Sequence, residues 1–174
     1  MFLQRLLRPT SVKVAAGRLY AAAVRAARDP ALYADLGAPD TPDGRFELYT
    51  LFVLLVIERL RAEDKTAAPL AQAVFDAYLA GLDHGLRELA VGDLSVSKTM
   101  RRLGEAFYGR GKALDAALAA LPDETPLAEL VGRTVFSGGP GADPKPLAAR
   151  IVSARVALSA TPADDLARGE LAIA

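Results

Sequence analysis

The 174-residue chain has no cysteine. That excludes disulfides, thiolate metal sites and cysteine nucleophiles, and it is compatible with a reducing compartment. Histidine occurs once, at His84, so a multi-histidine metal site is excluded as well. No long apolar run is present. The longest charge-free apolar stretch, Leu48 to Ile57, is bounded by Glu47 and by Glu58 and Arg59. Ten residues fall well short of the roughly 20 that cross a bilayer as a helix. Acidic residues are missing from positions 1–28, which carry Arg5, Arg8, Lys13, Arg18, Arg25 and Arg28. Because the whole chain is formally neutral, the remainder is acidic by the same margin. A basic arm of this kind suits an anionic membrane surface or RNA, or it neutralises the acidic body from within. The charges at positions 5 and 8 interrupt the apolar region that a secretory signal would need, so the expected location is cytoplasmic, peripheral at the inner face of the membrane.

What is abundant is alanine and leucine, both favourable in helices, and a chain of this size buries about 70% of its unfolded surface as one domain. Residues 41–60 are the organising stretch. Pro42, Asp43 and Gly44 supply turn chemistry, and the following apolar run is hydrophobic all round, as a central helix should be. Phe2, Leu3, Leu6 and Leu7 recur at helical spacing against Gln4, Arg5 and Arg8, giving a basic amphipathic segment over residues 1–10 before the main domain, 11–174. Phe2, Leu3, Arg5, Leu6 and Arg8 are the candidate contacts with a membrane or other anionic surface.

Further helices are expected over 12–28, with Val14, Leu19 or Tyr20, and Val24 inward, and over 31–36, closed by Gly37. A helix over 69–90 should bury the seam Phe75, Leu79, Leu82, Leu86 and Leu89, while Ala73, Ala77, Gly81 and Gly85 form a small-residue stripe for close packing. Asp83 and Arg87 are spaced to pair. Asp93 is placed to cap a long helix carrying Val96, Met100, Leu103, Phe107, Leu114, Leu118 and Leu121 on one face, with Gly104, Gly109 and Gly111 predicting a kink or break near 108–111. Helices over 125–135, 146–160 and 162–168 complete the chain, the last with a Thr161 to Asp164 reciprocal cap. The expectation is all-α, a single-domain bundle of six or seven helices around a buried central one.

Catalysis finds little footing. His84 has no obvious nucleophile beside it, Asp76 and Asp83 lack the Glu-x-x-His partner of a di-metal bundle, and the glycine-rich 136–146 loop lacks a preceding strand and a Gly-Lys-Ser/Thr. Lys98, Arg101 and Arg102 offer cations to phosphates without interleaved aromatics. Neither a cofactor nor a metal is expected.

Three ordered motifs go further: Leu32-Tyr33 with Leu36-Gly37-Ala38-Pro39-Asp40-Thr41-Pro42-Asp43-Gly44-Arg45-Phe46-Glu47; Leu86-Arg87-Glu88-Leu89 with Val91-Gly92-Asp93-Leu94-Ser95-Val96; and Glu105-Ala106-Phe107-Tyr108-Gly109-Arg110. Over residues 32–118 the chain resembles a bacterial member of the ubiquinol-cytochrome c chaperone family. The resemblance implies a helical, non-enzymatic protein that assists assembly of ubiquinol-cytochrome c reductase, respiratory complex III. Its implied client is newly made cytochrome b, with a small helper protein or the ribosome as further partners and no small-molecule substrate. The sequence departs from the family at Phe52, where a histidine is frequent, at Gly81-Leu82-Asp83, where an acidic run is usual, and at Thr99 after Lys98. Asp40, Asp43, Arg45, Asp93, Tyr108 and Arg110 lie in or near the motif turns. They form either one partner-binding patch or an internal network bracing those turns. A different class of function, an RNA- or ribosome-binding adaptor using the basic N-terminus and the 98–112 cations, competes with the chaperone reading.

Overall fold

The computed structural model describes residues 9–88, 93–138 and 141–173, and the side chains among them except those of Pro9 and of residues 93–98. The expectations placed on Phe2, Leu3, Arg5, Leu6, Arg8 and Leu89, and on the side chains of Asp93 and Val96, lie outside these. The order is α1 (Pro9–Ala27), α2 (Pro30–Ala34), α3 (Pro42–Arg61), a 3-10 turn (Lys65–Ala67), α4 (Ala68–Glu88), α5 (Asp93–Ala119), α6 (Thr125–Thr134), α7 (Lys145–Ser159) and α8 (Ala163–Arg168). Among the described residues there is no strand, and no helix is long and apolar enough to cross a membrane.

α3 is the axle. Every residue from Leu48 to Ile57 except Tyr49 is buried, as a helix apolar on all faces must be when α1, α4, α5 and α7 all pack on it. Its start is fixed by Thr41, whose hydroxyl accepts the Gly44 N–H at 3.1 Å, rather than by the Asp43 side chain. Gly44 is needed there because a Cβ would lie 2.3 Å from the Pro39 carbonyl oxygen. Elsewhere one device recurs. Asp29, Asp64, Asp123 and Asp143 each accept the backbone N–H two residues on, opening α2, the 3-10 turn, α6 and α7.

The structure departs from the expectations in four places, two of them in which face a helix buries. On α1 the buried face is Val12, Ala15, Ala16, Leu19, Ala23 and Ala27, while Val14 is 51% exposed. Small side chains let α1 lie close to α3 and α4, and alanine, carrying little hydrophobic signal, hid that face. On α4 the core is entered by Leu70, Ala71, Val74 and Tyr78, whereas Phe75, Leu79, Leu82 and Leu86 are only partly buried. α5 runs unbroken through Gly109 and Gly111. Gly111 instead admits Leu54, whose methyl would be 3.2 Å from a Cβ, so packing on α3 outweighs the cost of about 1 kcal/mol for a helical glycine. The Thr161 cap is also absent: its hydroxyl turns back to the Ala157 carbonyl at 3.4 Å, and Pro162 holds the cap position of α8 without a side-chain bond.

At the far end of the axle, Arg59 receives the end of α7, donating to the carbonyls of Leu158 at 3.0 Å and Thr161 at 2.8 Å, while Arg155 of α7 pairs with Glu58 at 2.8 Å. The Leu158 carbonyl also accepts the Thr161 N–H at 3.0 Å, so Arg59 adds a charged donor to a helix end that is already capped.

Candidate functional site

The other end of the bundle is built differently. From Leu79 to Ala106 no described side chain is fully buried. The C-terminal half of α4 and the N-terminal half of α5 therefore form a pair of arms that extend past the core. A helix with an apolar seam is stable in water when the seam is covered, yet Leu82 and Leu86 of α4 and Leu103 of α5 remain partly open. They line a cleft of about 820 Å³, closed on the remaining side by Phe46 and Glu47 of α3 and by Arg133 and Thr134 of α6.

An ion pair makes its floor. Glu47, 7% exposed, accepts from Arg110 Nε at 2.6 Å and from a second guanidinium nitrogen, and the Arg110 guanidinium lies 5.7 Å over the Phe46 ring. The bond to Glu47, ahead of the cost of burial, raises the pKa of Arg110. Bidentate pairing of this kind fixes orientation as well as charge, so α5 is pinned to the first turns of α3.

A second hollow of about 290 Å³ continues from the first, sharing Phe46, Gly81 and Leu82, and reaches Arg28, Tyr33 and Arg45. Asp40 and Arg45 pair here, and their hydrogen bond lowers the pKa of Asp40. The Arg45 guanidinium also lies 5.3 Å over the Tyr33 ring. Beneath them the Tyr20 and Tyr49 hydroxyls meet at 2.8 Å, and Thr50 Oγ1 lies 3.1 Å from the Tyr78 hydroxyl. This ladder joins α1, α3 and α4. Burial, first among its causes, pushes the Tyr78 phenol up to about 12 and the Tyr49 phenol higher still.

The six residues nominated from sequence thus separate. Asp43 and Arg110 line the large cleft, and Arg45 lines the adjoining hollow with Asp40 as its partner. Tyr108, 59% exposed, lies against Phe75 at 5.4 Å and is absent from the lining of both hollows. It is two residues from Arg110 and so on the opposite side of the helix. Sequence reasoning missed Glu47, whose partner is 63 positions away, and it put Leu82 and Leu86 in the core rather than in a cleft wall. The available signal for Glu47 was an acid set directly against ten uncharged residues on a central helix. Of the catalytic candidates, His84 is exposed and lies 3.2 Å from Glu88, Asp76 accepts from Gln72, and Asp83 pairs with Arg87 at 2.8 Å as its spacing predicts. A further cavity of about 650 Å³ between α6 and α7, lined by Ala128, Phe136 and Ala148 and sharing Arg133 with the large cleft, gathers none of the nominated residues.

The model of the ubiquinol-cytochrome C chaperone family matches residues 34–173, extending well beyond the motif region. Among solved structures, the crystal structure of the Cbp3 homolog from Brucella abortus aligns with a TM-score of 0.84 at 34% identity, covering 100% of this chain and 97% of that one. No curated protein matches the chain.

Proposed function

Because the chain belongs to the ubiquinol-cytochrome c chaperone family, we propose that it is a non-enzymatic assembly factor for ubiquinol-cytochrome c reductase and that it holds newly made cytochrome b. The observation that carries the client reading is the partly open apolar seam of Leu82, Leu86 and Leu103, facing Phe46 across a cleft. A helix laid into such a groove is held by its apolar face, the mode suited to a membrane protein's segments before they reach their partners. Holding requires binding and release, and no bond need be made or broken. In this reading the protein works at the inner face of the cytoplasmic membrane, where a newly made membrane protein is inserted. Asp43, Arg45 and Arg110 belong to the client's surroundings, and Arg110 also braces the cleft floor through Glu47.

The test is capture of cytochrome b from mildly solubilised membranes by the tagged full-length protein. Wild type is expected to retain cytochrome b, and Leu86→Asp, which puts a charge into the groove wall, to lose it by about tenfold while melting at the wild-type temperature. Equal capture by the two proteins removes the groove from the reading. Absence of cytochrome b from the wild-type capture removes the client. The RNA- or ribosome-adaptor alternative is tested by titrating RNA at low salt: it predicts affinity that falls steeply as salt rises.

A further inference from the structure

The two hollows share a wall and make one groove, and the charges along it do not balance internally. At its centre Glu47 neutralises Arg110, and beside it Asp40 neutralises Arg45. Asp43 lies in the first turn of α3, where the positive end of the helix offsets a carboxylate. The two remaining guanidiniums stand at opposite ends. Arg28, at the end of α1, lines the smaller hollow close enough to act on the Tyr33 and Tyr49 hydroxyls, and Arg133 of α6 lines the larger one. Among the described residues neither has an ion pair. Between them, beside these internally neutralised charges, runs an apolar wall of Phe46, Leu82, Leu86 and Leu103.

We infer that this groove selects an apolar helical segment bearing a carboxylate at each end, the two carboxylates being received by Arg28 and Arg133. The inference rests on the reading of the groove as the client's seat and gives that client a chemistry. An arginine held at the rim of an apolar surface costs little while it faces water and gains a charge-assisted bond once a carboxylate arrives. Apolar contact supplies adhesion that any hydrophobic helix could share, while the end charges add discrimination, since a lysine at either end would meet a guanidinium.

The probes are two labelled peptides of about 15 residues, long enough for about four helical turns. They share a leucine and alanine face and differ only in carrying glutamate or lysine at both ends. With the full-length protein at low salt, the glutamate-ended peptide is expected to bind about tenfold more tightly, and the preference to shrink as salt screens the end charges. In the R28E/R133E double variant the preference should invert. Equal affinity for both peptides overturns the inference, as does a wild-type preference surviving in the double variant. Concentration-dependent self-association that the double variant abolishes, with no discrimination between peptides, would assign the groove to a second copy and also overturn it. Cytochrome b capture by wild type and Leu86→Asp is read separately. Capture lost on Leu86→Asp without peptide discrimination leaves the client reading standing and removes only the charge rule. Discrimination without any capture of cytochrome b does the reverse.

Discussion

Glu47 is the residue on which the cleft turns. A carboxylate at this depth is tolerable because Arg110 meets it with two hydrogen bonds, and removing one partner leaves the other partly buried and uncompensated. Glu47→Ala is expected to cost about 3 kcal/mol, or roughly 6 to 12 °C in Tm for a domain of this size. Combining Glu47→Leu with Arg110→Met should cost less than the two single changes added together. A thermal double-mutant cycle measures this, and strict additivity would mean the pair does not act as a unit. Tyr78 makes a second residue-scale prediction. Burial raises its phenol to about 12, so between roughly pH 10 and 12 the folded protein keeps a proton that the unfolded chain releases. This contribution is intact below pH 10 and is lost as pH climbs toward 12. Thermal melts of wild type and Tyr78→Phe across that interval should converge with rising pH because the variant lacks the titrating group.

At the level of elements, the helices were readable because each long one carries a strong periodic or continuous apolar signal, and α3 the strongest. Their faces were less readable. The seam Phe75, Leu79, Leu82 and Leu86, spaced four, three and four along α4, is genuine amphipathicity, but periodicity reports that a face is apolar and not what covers it. Here part of it is left for the groove. Glycine likewise has two meanings that sequence does not separate, interruption and close approach, and α5 takes the second at Gly111. The small-residue stripe of α4 divides the same way. A Cβ at Gly81 would lie 2.1 Å from the Tyr20 hydroxyl, breaking its bond to Tyr49, whereas at Gly85 nothing lies within 4 Å. Gly81→Ala should therefore destabilise by about 1 to 3 kcal/mol and Gly85→Ala stabilise by up to about 1 kcal/mol. Chemical denaturation of the two variants should move in opposite directions, and parallel shifts would show that the stripe has one role after all.

For the molecule as a whole, the two ends divide the labour: one is closed by Arg59 and the α7 carbonyls, the other is left open between the arms. The all-helical class and the family were legible from composition and motif order. The groove was not, because it is made by residues from α1, α3, α4, α5 and α6 that meet only in the folded chain. Arg45→Ala removes an exposed, solvent-screened pair, so cells carrying it should hold the protein at normal levels. If the Arg45 region serves the client, the same cells should contain less assembled ubiquinol-cytochrome c reductase. Wild-type reductase content with unchanged protein abundance would free Arg45 of any role in handling the client. The alanine face of α1 carries a different consequence, visible in the pattern of tolerated mutation. Ala15, Ala16, Ala23 and Ala27 are each at most 2% exposed in an interface with little spare volume. Drift there is limited first by size and second by polarity, so a saturation scan should accept serine more readily than leucine at these four positions, the reverse of the order expected for Leu51 or Leu55 on the axle.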